Sequence, residues 1–144
     1  MSGVDGSSPS GYSGTPLPHK LGIKADARLA LIRAPDGFES TLGQMPPGVL
    51  VRRQARGPVD VIVAFFDDRR ELARRLPGLR DALKPAGGLW IAWPKRSSGL
   101  ATDLDENVIR ALGLDAGLVD NKVCAIDQTW SGLRFVFRIR DRAG

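Results

Sequence analysis

The stretch Val59–Lys95, VDVIVAFFDDRRELARRLPGLRDALKPAGGLWIAWPK, decides the fold. From Val59 to Phe66 it is apolar except for Asp60, the mark of a strand covered on both faces. Asp67 or Asp68 then supplies a helix N-cap, because a short side-chain oxygen there accepts from an otherwise orphaned amide. Leu72, Leu76, Leu79 and Leu83 follow at helical spacing, and the Arg-rich remainder reads as a solvated face. Pro77 removes one intrahelical hydrogen bond and is expected to kink or split the helix. Pro85 to Gly88 is a stop signal, and Leu89 to Trp93 is a second buried-type strand. Strand, helix and strand at this spacing make two parallel strands joined by a right-handed crossover.

Working outward, Ala27 to Ala34 (ARLALIRA) is an upstream strand, ended by Pro35-Asp36-Gly37. Asp36 is the expected cap of a short helix from Gly37 to Leu42. After a Gln44–Gly48 loop, Val49 to Val51 is a short strand leading into Arg52, Arg53 and Arg56. Downstream, Lys95 to Thr102 is a polar loop, and Asp103 with Glu106 has capping-box spacing for a helix to about Leu112. Val119 to Ile126 and Leu133 to Ile139 form a hairpin joined by Asp127 to Gly132. In its last strand Leu133, Phe135, Phe137 and Ile139 share one face, and Arg134, Arg138 and Arg140 the other. Residues 1–20 are Gly-, Ser- and Pro-rich, too poor in apolar groups to offset the entropy of ordering; Tyr12 and Leu17 are the ones placed to dock as a strap. The fold expected is α/β: a single three-layer domain over residues 21–140, with a mostly parallel twisted sheet and an antiparallel C-terminal hairpin.

The bulk numbers agree with one domain: 144 residues, 42% hydrophobic and 26% charged. The lone cysteine, Cys124, cannot close an internal disulfide, which suits a cytoplasmic location. No segment approaches the roughly 20 apolar residues of a membrane span. A net charge of +5 permits attraction to nucleic acid without demanding it, and no aromatic platform interleaves with the arginines.

LKPAGGLWIAW, Leu83 to Trp93, is similar to the passage leading into the fifth strand of class I methyltransferases, and the order of elements resembles theirs. The resemblance implies a sheet ordered 2-1-3-4-6-5. It also implies a Gly-rich turn after the first strand for S-adenosylmethionine and an acidic residue ending the second. This chain has Ala34-Pro35-Asp36-Gly37 at the first place and Arg52-Arg53 at the second, so no cofactor is expected. The chain also resembles a bacterial domain family of unknown function, family three thousand and fifty-two. The residues that carry this are Lys20 to Ile23, the Val59–Phe66 strand, Gly88 to Ile91 with Trp93-Pro94-Lys95, Gly117-Leu118, and Trp130 to Val136. That resemblance implies a small cytoplasmic α/β protein and brings no activity with it.

In an open α/β sheet, ligands bind outside the carboxyl ends of the strands. That edge collects Asp67, Asp68, Trp93, Lys95 and Arg96, with Asp36, Ser97 and Ser98 nearby. Lys95 and Arg96 before a helix N-terminus suit a small anionic ligand; equally, they suit simple pairing with Asp67 and Asp68. Trp130, Ser131 and Arg134 form a second candidate, a loop tryptophan beside an arginine that stacks on a ligand or protein partner or else covers the sheet edge. His19 stands alone, Cys124 lies in an apolar strand, and Ser131 has no activating histidine in any recognisable pattern, so no metal centre or nucleophile is expected. A non-catalytic binding or interaction domain is the leading expectation, an enzyme or sensor for a small anion the alternative, and nucleic acid the weakest.

Overall fold

The computed structural model describes residues 15–142; the expectations for residues 1–14, Tyr12 among them, and for the last two residues lie outside the described residues. Six strands form one sheet: β1 (Arg28–Ile32), β2 (Leu50–Arg52), β3 (Val59–Phe65), β4 (Leu83–Pro94), β5 (Leu118–Ala125) and β6 (Trp130–Phe137). Their order is β2-β1-β3-β4-β6-β5, as the resemblance implied. β1 to β4 run parallel, while β6 runs antiparallel to both β4 and β5.

Each face of the sheet carries its own apolar cluster. On the first, α3 (Arg69–Ala82) and α4 (Glu106–Asp115) press Leu72, Leu76, Leu79 and Ile109 onto Ile62, Leu89, Ile91 and Phe135. On the second, the covering layer is slighter. It consists of α1 (Leu17–Lys20), the segment to Ala27, and α2 (Phe38–Leu42), whose Leu21, Ile23, Phe38 and Leu42 meet Val61, Val63, Phe65 and Trp90. Each such side chain, fully buried, contributes about 1.5–3 kcal/mol. Trp90 is wholly buried, and its indole Nε1 donates to the Leu21 carbonyl at 2.9 Å, fastening the N-terminal segment to the sheet. Leu17 packs here in a helical turn rather than an extended strap, and with Pro18 buried beside it residues 17–20 belong to the folded body rather than to a tail.

Several local expectations are corrected. Pro77 does not split α3, which runs unbroken for 14 residues. Pro77 and Ala73 are both exposed, so the carbonyl left without its partner faces water while the leucine stripe holds the helix to the sheet. Pro85 to Gly88 does not stop a helix before a separate strand. β4 already begins at Leu83, and the register slips between the pairs Val59–Leu83 and Val61–Gly88, so the intervening residues bulge out. Asp36 caps nothing: α2 starts from Gly37 in the left-handed region (φ 81°) with no side-chain cap. Asp105, not Asp103, caps α4, accepting from the Val108 amide at 2.8 Å. The hairpin turn is tighter than expected because Asp127 accepts from the amides of Thr129 and Trp130, both at 2.8 Å. Trp130, Ser131 and Gly132 therefore belong to β6 rather than to its loop. Finally, β6 ends at Phe137 and Ile139 sits in a 3-10 turn, 80% exposed rather than on the apolar face.

Candidate functional site

The carboxyl ends of β1, β3 and β4 lie side by side, and a residue outside the expected set sits between them. Arg33 follows β1 with φ 58°, a backbone region costing an L-residue roughly 1–2 kcal/mol. Its Nε donates to the Phe65 carbonyl at 3.0 Å, and Nη2 stands 4.0 Å from an Asp67 carboxylate oxygen. The guanidinium carbon lies 5.2 Å from the centre of the buried Phe66 ring. Arg33 thus straps the end of β1 to the end of β3. A cation closing an otherwise apolar run, next to Ala34-Pro35, was the available signal in the sequence.

The two aspartates after β3 divide their work. Asp68 caps α3, accepting from the Glu71 amide at 2.7 Å, as one of the two was expected to do. Asp67 is exposed and faces Arg33, and its carbonyl accepts from the Thr102 hydroxyl at 2.7 Å. Asp103 reaches across to accept from the Arg69 amide at 2.8 Å. The positive end of α3 is therefore already met by two of the protein's own carboxylates. The expected pairing of Lys95 and Arg96 with Asp67 and Asp68 does not form; neither cation enters an ion pair among the described residues.

Beside this point is a cavity of about 370 Å³ lined by Trp93, Pro94, Arg96, Thr102, Asp103, Leu104 and Asp105. Asp103 and Asp105 each spend an oxygen on a helix amide, which leaves Arg96 the charged donor on its wall. Trp130 pairs with Pro94 and Ser131 with Trp93 in the sheet, so these two stay near the cleft. The Trp130 ring stands edge-on to Phe65 at 5.1 Å and 89°, and Phe38 meets Phe65 at 4.8 Å and 73°. Trp130 therefore packs as part of the second cluster rather than projecting from a loop. Arg134 pairs with Trp90, four residues further along β6 and about 13 Å from Trp130 at ~3.3 Å per residue. Its backbone lies in mid-sheet, and its guanidinium lies over Gly88, away from the carboxyl ends of the parallel strands.

The sheet order also keeps the basic groups apart. Arg52 on β2 is separated from Arg134 on β6 by β1, β3 and β4, about 19 Å at ~4.8 Å per strand. Cys124 is half-buried, and burial pushes its thiol up from the ordinary value, which keeps it a weak nucleophile. Among the described residues no three His, Cys, Asp or Glu side chains are grouped to hold a metal ion, and no helix is long and apolar enough to cross a membrane.

No family model matches the chain, and no curated protein matches it in sequence. Solved structures do resemble it. A SAM-dependent methyltransferase from Aquifex aeolicus superposes with a TM-score of 0.58 at 16% identity over 81% of this chain and 85% of that one. Magnesium protoporphyrin IX methyltransferase from Synechocystis PCC 6803, with bound SAH, gives 0.53 at 11% identity over 85% and 78%. The mitomycin 7-O-methyltransferase gives 0.56 at 12% identity over 78% of this chain, which spans 49% of that enzyme's length. At such identities the likeness is one of fold: this chain has the sheet of the S-adenosylmethionine-dependent methyltransferases.

Proposed function

We propose that this chain is a non-catalytic binding domain on a methyltransferase frame, and that S-adenosylmethionine is not its ligand. The observation that carries the reading is Arg33, whose guanidinium runs from the end of β1 to the Phe65 carbonyl at the end of β3. In the methyltransferase pattern that mouth takes the cofactor, approached by the backbone amides of a glycine-rich turn. Here the turn holds Pro35, which has no amide hydrogen, and β2 ends in Arg52 where an acid would hold a ribose. The residues present do not fit that cofactor.

The test is calorimetric titration of the purified protein with S-adenosylmethionine and S-adenosylhomocysteine. No saturable heat is expected from either, and micromolar binding of either overturns the reading.

A second reading rests on the cavity beside Trp93, where Arg96 is a cation without a carboxylate partner among the described residues. It makes the domain an enzyme or sensor for a small anion. A thermal-shift screen of acidic metabolites should then find a stabilising compound whose effect is lost in Arg96→Ala and weakened in Lys95→Ala. A compound that stabilises all three proteins equally removes Arg96 from the account.

A further inference from the structure

At the far end of the sheet, against the amino ends of β3 and β4, lies a larger cavity of about 450 Å³. Its walls are the Gly22–Ala27 segment, Asp60, the bulged Lys84–Gly87 segment and Arg134. That volume falls within the range of small-molecule sites. We propose that this cavity binds a small molecule bearing a carboxylate or phosphate group, with Arg134 as its anchor and Lys24 and Lys84 at its rim.

The charges around the cavity are unequally satisfied. Asp60 has none to spare. One carboxylate oxygen is 3.0 Å from the Lys84 ammonium, and the other accepts from the Arg28 amide at 2.8 Å. Asp26 is turned onto Gly48, where its carboxylate occupies the place a β-carbon would need. Asp60 and Lys84 thus satisfy each other, and against the one remaining carboxylate, Asp26, the wall sets two further cations, Lys24 and Arg134, which leaves it one positive charge in excess.

Arg134 is half-buried, and among the described residues no carboxylate lies within ion-pair distance of it. Its one side-chain hydrogen-bond partner among the described residues is the Asn121 amide oxygen at 3.4 Å, long for a hydrogen bond. The guanidinium lies on Gly88, where a β-carbon would come within 2.5 Å of Nε, so the glycine keeps a bed open for it. Burial, and after it the neighbouring Arg142, push the guanidinium below its ordinary value. A half-buried cation without a counter-charge costs stability, and a planar fork of donors beside a cavity matches an oxyanion. Lys24, exposed on the opposite wall, likewise enters no ion pair among the described residues, while Lys84 keeps donors beyond the one it gives Asp60. The site is at the opposite end of the strands from Arg33, so it stands or falls independently of the reading above.

Titration at constant ionic strength, followed by amide and Arg134 side-chain nuclear magnetic resonance, tests the proposal. The probes are inorganic phosphate in one arm and succinate in the other. Saturable shifts at Ala86, Gly87, Gly88 and the Arg134 Nε–H are expected in at least one arm, and the stronger arm identifies the anion class. Arg134→Gln should weaken binding by about tenfold or more, the size of one charge-assisted hydrogen bond. The exposed Arg138→Gln should leave it unchanged. No saturable shift with either probe, equal binding by Arg134→Gln, or equal weakening by Arg138→Gln overturns the proposal. If Arg134→Gln does not fold, Lys24→Glu carries the test: weakening of about threefold or more supports the site, and unchanged binding overturns it.

Discussion

Asp60 shows how a single residue ties ends of the sheet together. From the start of β3 it accepts the Arg28 amide at the start of β1 and pairs with Lys84 in the bulge of β4. Burial alone would raise its carboxyl, but the Arg28 amide and Lys84 outweigh it and hold the group below the ordinary 3.8. A carboxyl depressed in the folded state binds protons more weakly there than in the unfolded chain. Its contribution to stability is therefore complete above the ordinary value and lost as pH falls through the lower, folded one. Urea midpoints recorded from neutral pH down past 3.8 should fall on the acid side, and Asp60→Asn should flatten part of that fall. An identical acid limb in the variant would show that Asp60 does not contribute. Sequence alone named Asp67 or Asp68 as the helix cap because capping is local: Asp68 accepts from an amide three residues along the chain. It passed over Asp60 and Arg33 because their partners, Arg28 and Phe65, are each 32 residues away.

Among the elements, α3 and α4 each contain a glycine, and packing gives the two opposite value. Gly78, on the exposed side of α3, has nothing within 4 Å of where a β-carbon would stand. Gly78→Ala should stabilise by about 0.5–1 kcal/mol through helix propensity. Gly113 of α4 faces the wholly buried Phe135 ring of β6, which occupies the space a β-carbon would take. There the same propensity gain is opposed by overpacking of about 1–3 kcal/mol, and Gly113→Ala should be net destabilising. Urea denaturation of both variants checks this, and the same sign for both would refute it. The β4 bulge and the early end of β6 are element-scale facts that the pattern concealed. Lys84–Gly87 carries turn residues, yet it lies inside a strand because the neighbouring β3 holds both sides of the slip. Ile139 continues the alternation of β6 in sequence, but the chain has already turned away at Arg138.

For the whole molecule, the strands were legible because apolar runs record burial directly, whereas their order was implied by the likeness to the methyltransferase sheet. The candidate site was less legible. Trp93, Arg96 and Ser131 do come together at the carboxyl ends, since strand ends of neighbouring strands must. Arg134 is adjacent to Trp130 in the chain, yet the register of β6 on β4 sets it opposite Trp90 in mid-sheet, and its side chain reaches away, over Gly88, into the cavity at the amino ends. Sequence proximity along an extended strand is distance in space, whereas the Gly22–Ala27 segment, more than a hundred positions earlier, shares its cavity. The two helices of the first face and the turns of the second form unlike walls, and the second depends on long-range ties such as the indole bond from Trp90 to Leu21.

The backbone at Arg33 has a consequence for engineering. Its φ of 58° is one that glycine adopts without penalty. The end of β1 thus keeps the conformation of a glycine turn while carrying a guanidinium. Arg33→Gly would clear the strap and relieve the backbone in one substitution, with no rebuilding of the loop. As a scaffold, the domain departs from the methyltransferase pattern at Arg33, Pro35 and Arg52, and refitting it would begin with those residues rather than with the architecture.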